Sequence, residues 1–226
     1  MIPILVAHGT RKPEGVAMIG DLAGRVGDAL GRQVRTAFVD VLGPSPADVL
    51  NTVDGTAVLV PAFLASGYHV RVDIPAFVTA SEHPDVLVTD ALGPSPQMVR
   101  VLTDRLIECG WRAGDSVVMA AAGTSDLNAA RDLRITAAML SAAIGDRVEL
   151  AFAATGEPCV ADAVSALRDR GARRVIVASY LLADGLFQER LRASGADAVA
   201  APLGVHPGVV RLVASRFRRA RLPIAA

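Results

Sequence analysis

Apolar runs of strand length alternate along this chain with longer segments in which apolar residues recur every three or four positions. The short runs fall at 3–7, 34–39, 56–61, 86–89, 116–120, 148–153, 174–178 and 198–201. Between them, helical periodicity covers 15–30, 45–53, 96–109, 127–144, 160–170 and 206–217. In the first helical segment Val16, Ile19, Leu22, Val26 and Leu30 form one stripe, the spacing of an amphipathic helix. Strands that are apolar throughout and separated by helices predict βαβ units around a buried parallel sheet, an α/β fold. Right-handed crossovers bring all strand C-termini to one edge, where ligands bind in such sheets.

The pattern is written twice. "AHGT" at 7–10 matches "AAGT" at 121–124, and "FVDVLGPSPADVL" at 38–50 aligns without gaps to "FAATGEPCVADAV" at 152–164, both at an offset of 114. "VPAFLASGYH" at 60–69 matches "ASYLLADGLF" at 178–187, and "ALGPSP" at 91–96 matches "PLGVHP" at 202–207. Four matches in one order predict an internal duplication: two similar α/β domains, 1–112 and 113–226, each a parallel sheet flanked by helices. The period is far longer than that of solenoid repeats. A length of 226 residues, 52% of them apolar, suits two such domains.

Charge narrows the partners. Lys+Arg and Asp+Glu balance at 23 each and aromatic residues are few, so neither nucleic acid nor an anionic membrane is an expected partner. "RFRRAR" at 216–221 reads as a solvated C-terminal tail. The N-terminus lacks the basic region and cleavage site of a signal peptide, and no apolar run is long enough to span a membrane. The expected location is the cytoplasm, with Cys109 and Cys159 as two reduced thiols.

A duplicated fold is its own control. Both copies need the core, whereas a polar group kept in one copy is free to serve chemistry. His8 faces Ala122 in the alignment, Asp40 faces Ala154, and His69 faces Phe187. All three polar residues belong to the first half and follow its first three strands, with His69 placed in the loop after the third. Two imidazoles and a carboxylate at one sheet edge suit binding of a divalent transition metal and acceptance of protons. Nearby, Asp73 either orients an imidazole or caps a helix, and Arg11 and Lys12 can meet carboxylates of an acidic ligand. Gly9, Gly67 and Gly123 fit tight turns or close ligand approach, since glycine tolerates positive φ. His83, in "SEHPD", reads as a solvated turn residue, and His206, in "GVHPG", as a turn or cap residue.

"LVAHGTR" at 5–11, "AFVDVLGPSP" at 37–46 and "VPAFLASGYHVRVDIP" at 60–75 together resemble the class II chelatases of the CbiX/SirB type. That resemblance implies a lyase, a chelatase that inserts a divalent metal into the tetrapyrrole sirohydrochlorin. The metal is a substrate, Fe²⁺ favoured and Co²⁺ the alternative, and no organic cofactor is implied. His8 and His69 carry over as metal ligands, and Asp40 stands where the family often has glutamate. The proposed catalytic set is thus His8, His69 and Asp40, with Arg11, Gly67 and Tyr68 as tetrapyrrole-binding positions. The tetrapyrrole is expected in a cleft between the halves, with Phe187 beside the ring, in a monomer or homodimer. Rival readings fit less well. The "RHG" of histidine phosphatases needs arginine before the histidine, where this chain has Ala7. "AHGTRKPEG" does not supply the glycine pattern of a dinucleotide loop. A non-catalytic metal or tetrapyrrole carrier would need the same ligands but no proton acceptor.

Overall fold

The computed structural model describes residues 1–220, which form two four-stranded sheets of parallel strands. The first is built from β1 (Ile2–Ala7), β2 (Arg35–Phe38), β3 (Ala57–Pro61) and β4 (Val86–Val88) in the order β2-β1-β3-β4. Its connections carry α1 (Pro13–Leu30), α2 (Pro46–Leu50) and, after a π-helical turn at His69–Asp73, α3 (Ile74–Ala80). The second repeats the order as β6-β5-β7-β8. Its strands are β5 (Ser116–Gly123), β6 (Val148–Thr155), β7 (Val175–Tyr180) and β8 (Ala198–Val199). Its helices are α5 (Leu127–Ile144), α6 (Val160–Asp169) and α7 (Leu186–Arg192). The remaining helices are α4 (Pro96–Glu108) and α8 (Pro207–Arg219).

Each sheet is apolar because helices cover it. Ile4, Leu5 and Val6 of β1 and Val58, Leu59 and Val60 of β3 are fully buried, as are Val118, Met119 and Ala120 of β5. The stripe read on α1 turns Ile19, Leu22 and Val26 inward. Helix starts show the local chemistry. Ser45 caps α2 by accepting from Asp48 N while Asp48 reaches back to Ser45 N, a capping box. Cys159 holds the matching place before α6 and accepts from Asp162 N with its sulfur. Both cysteines are free thiols, and burial pushes that of Cys109 up.

The strands and six of the helices follow the hydrophobic pattern closely. α3 and α7 do not show in it: each has seven residues and, unlike the still shorter α2 with its capping box, no side-chain cap marks its start. The basic run at 216–221 is not a solvated tail over its described part. Arg216, Phe217, Arg218 and Arg219 belong to α8, and Phe217 is fully buried. Arg216 donates to Ala91 O at 3.0 Å and Arg218 to Ala29 O at 2.7 Å. Arg221 lies outside the described residues.

The chain divides into two compact units, Met1–Leu92 joined by α8, and Gly93–His206. A boundary at 112/113 divides the sequence repeat; the compact units divide at Leu92/Gly93 and His206/Pro207. The closing helix of each sequence repeat is thus counted with the other repeat's sheet. α4 packs on α5 and β7, and α8 packs on α1 and β3. No helix among the described residues is long and apolar enough to cross a membrane.

Candidate metal centre

In the first sheet the chain leaves β1 toward β2 on one side and returns for β3 on the other. Between β1 and β3 the direction of winding reverses. Such a switch point leaves a crevice at the strand C-termini, the usual ligand site of an open parallel sheet. His8 is the first residue past β1, and His69 follows β3.

Gly9 sets the course of the backbone at His8. Its φ is +99°, and a Cβ there would lie 2.1 Å from the carbonyl oxygen of Asp40. The absence of that Cβ lets the β1 and β2 connections close on each other: Val39 N donates to Ala7 O and Asp40 N to His8 O, both at 3.0 Å. The second sheet is built alike. Gly123 has φ +103°, and its Cβ would lie 1.8 Å from Thr155 O. The glycine is therefore a requirement of the backbone in both copies, while the preceding histidine is not. Gly67 differs from both, since its φ is not positive. It starts a helix instead, its carbonyl accepting from Val70 N and Arg71 N.

His69 does not lie in a loop. It opens the π-helical turn, which closes with a bond from Ile74 N to His69 O, and α3 continues from it. This turn brings the His69 ring to 4.7 Å from that of His8, centroid to centroid, with the planes nearly perpendicular at 88°. Phe63 and Tyr68 flank it at 6.0 and 6.4 Å. His69 Nδ1 lies 2.6 Å from Asp73 Oδ2, and His8 Nδ1 lies 3.0 Å from Gly9 O. A carbonyl oxygen only accepts, so this contact calls for a proton on His8 Nδ1, which in the neutral imidazole leaves the lone pair on Nε2. His8 is exposed and the His69 side chain is about one-third exposed at 34%, so solutes reach both rings.

The other sequence candidates take various places. Asp40 is exposed at the end of β2, and its Oδ1 accepts from Val41 N at 2.7 Å. Arg11 and Tyr68 are exposed near the pair, Tyr68 at 58%. Among the described residues no group of three or more His, Cys, Asp and Glu side chains is arranged to hold a metal ion. His206 directly precedes α8, only 11% exposed, with Nε2 3.6 Å from Asp104 and 3.9 Å from Glu108. His83 is half-buried and accepts from Asp85 N, so it is not simply solvated. In the second unit Phe187 stands at the start of α7 with the Arg190 guanidinium 5.8 Å from its ring centre.

Fold and site define a duplicated α/β protein with paired imidazoles at the switch point of one sheet. The CbiX family model matches residues 3–109 and again 116–220, and the chain belongs to that family. It is 25% identical over 208 residues to a sirohydrochlorin cobaltochelatase of Priestia megaterium, covering 83% of this chain and 66% of that one. The chain therefore spans about two-thirds of that relative's length. A sirohydrochlorin cobaltochelatase of Methanothermobacter thermautotrophicus is 25% identical over 126 residues, 46% of this chain and 88% of the relative. Among solved structures, SirB from Bacillus subtilis with Fe³⁺ shares the fold at a TM-score of 0.84 with 18% identity, covering 97% of this chain and 96% of that one. A CbiX structure described as the terminal enzyme for biosynthesis of siroheme in denitrifying bacteria shares it at 0.73 with 21% identity, covering 99% and 100%.

Proposed function

We propose that this protein is a sirohydrochlorin chelatase and that His8 and His69 of the first unit hold the incoming metal. The observation that carries the reading is the 4.7 Å approach of two solvent-accessible imidazoles at the switch point of a CbiX-family sheet. In the reaction M²⁺ replaces two protons on the inner nitrogens of the tetrapyrrole, so the balance is one metal in and two protons out. A closed four-ligand cage retains its metal, whereas two protein ligands leave positions open for the ring nitrogens. Holding metal and macrocycle at one place supplies effective concentration. Proton acceptance falls to an imidazole released by the departing metal or to Asp40, whose side chain is exposed. Arg11 and Tyr68, exposed beside the pair, are the proposed contacts for the acidic, flat substrate, together with the backbone at Gly67.

Iron is the metal expected from the sequence, where nothing points to a dedicated cobalt role, and imidazole serves Fe²⁺ and Co²⁺ alike. Both curated relatives are named cobaltochelatases, a specific observation in favour of Co²⁺. The test is anaerobic insertion of each metal into sirohydrochlorin, followed by absorbance, with the native chain and His8→Ala. Acceleration over the uncatalysed rate that is lost in the variant supports the reading, and the ratio of the two rates assigns the metal. Tight tetrapyrrole binding without acceleration by either metal would instead make the protein a carrier.

A further inference from the structure

The helix after the third strand starts at Tyr68 in the first unit and at Leu186 in the second, 118 residues apart like the strands before it (Ala57 and Val175). It runs to Ala80 in the first unit and to Arg192 in the second, and only the first opens with a π-helical turn, HVRVD, which begins with His69 and ends with Asp73. Such turns are rare and concentrate at functional sites. Asp73 stands at the N-cap position of α3, yet its side chain makes no capping bond. Its carboxylate lies instead 2.6 Å from His69 Nδ1.

We propose that Asp73 is a positioning residue, which fixes the tautomer and the aim of His69; the inference rests on the reading of His69 as a metal ligand. A carboxylate accepts and cannot donate, so the Asp73 bond requires the proton of neutral His69 on Nδ1. The lone pair is then left on Nε2. His8 has the same tautomer through Gly9 O, so both rings offer Nε2 to one metal. The means differ: a backbone carbonyl serves His8, and a side chain brought by the π-helical turn serves His69. Without Asp73 the imidazole is free to carry its proton on Nε2, where it blocks coordination, and to rotate away from His8. Carboxylate partners of this kind typically govern metal affinity by about 10- to 100-fold.

The test uses the full chain labelled with ¹⁵N-histidine, read by long-range proton–nitrogen correlation at a pH where imidazole is neutral, and Co²⁺ titration alongside. Native His69 is expected as the Nδ1–H tautomer. Asp73→Ala should add or substitute the Nε2–H form at His69, leave His8 unchanged and weaken Co²⁺ binding about 10- to 100-fold. Asp73→Asn, whose amide oxygen also accepts, should restore the Nδ1–H signal and most of the affinity. In turnover, Asp73→Ala should raise the KM for metal more than it lowers kcat. An unchanged His69 tautomer in Asp73→Ala, or Nε2–H in the native chain, would overturn the proposal. The tautomer reports on Asp73 whether or not the chain inserts metal, so failure of the chelatase reading is seen separately as absent Co²⁺ binding and absent turnover.

Discussion

Gly9 and Gly123 occupy the same backbone crevice in the two units, each pressed against a carbonyl oxygen of the neighbouring connection. The residues directly before them, His8 and Ala122, share only their position. The same contrast recurs after the third strand of each sheet. Gly67 and Gly185 each accept the first helical bond from four residues on, yet the second residue past them is His69 in one unit and Phe187 in the other. What the units share is what the backbone demands. What they do not share is concentrated at one switch point. Duplication supplied two crevices, and paired imidazoles are present in one.

The sharpest way to break that comparison is to exchange the differing residues. His69→Phe should lower metal insertion by about 100-fold or more, since loss of geometry alone can cost that much. Phe187→His should not create a second site, because Ala122 offers no ligand and Leu191, not a carboxylate, stands at the position matching Asp73. Co²⁺ titration should still give one equivalent per chain; two equivalents would show that the crevice alone suffices.

The shared residues should fail alike. Gly9→Ala and Gly123→Ala each place a Cβ within 2.1 Å of a carbonyl oxygen at positive φ. Each should destabilise its unit by about 1–3 kcal/mol or more, read as a lower urea midpoint. A tolerated Gly9→Ala beside a damaging Gly123→Ala would separate the two crevices and weaken the case that this glycine serves the fold.

The smallest effect concerns the caps. Ser45 caps α2 with a hydroxyl and Cys159 caps α6 with a sulfur at 3.4 Å. Cys159→Ser should stabilise the second unit by about half a kcal/mol, toward the lower end for such caps. In the first unit the side chain and backbone of Ser45 hold the Asp48 carboxyl below its usual range. A depressed folded-state pKa means that this contribution is complete above the unfolded value, about 3.9, and is lost as pH falls through the folded one. Ser45→Ala should therefore lower the thermal midpoint at neutral pH and shrink its fall on acidification. An identical acid dependence in native and variant protein would sever Asp48 from Ser45.

Much of this was legible before any fold was drawn. Short apolar runs and period-3.6 patterns are local, so eight strands and six helices could be read from short windows of sequence. The loss of His8 and His69 from the second copy marked them as chemical without a structure. The seven-residue helices α3 and α7 were not legible, because they are short and neither begins with a side-chain cap. His69 consequently read as a loop residue, and Asp73 stayed undecided between a cap and an imidazole partner.

By itself the sequence determined the duplication, the parallel α/β class and the residue types available for metal. These depend on spacing and on comparison of one half with the other. Tertiary structure alone decided which sheet each closing helix covers. The stripe of Met98, Val99, Leu102 and Leu106 requires burial, but hydrophobic attraction has no direction and the stripe fits either sheet. The tertiary structure also decided that His8 and His69 meet edge to face and that Asp73 turns toward His69. Those contacts are set by where β1, β3 and the π-helical turn end in space, over distances that no local pattern in the chain records.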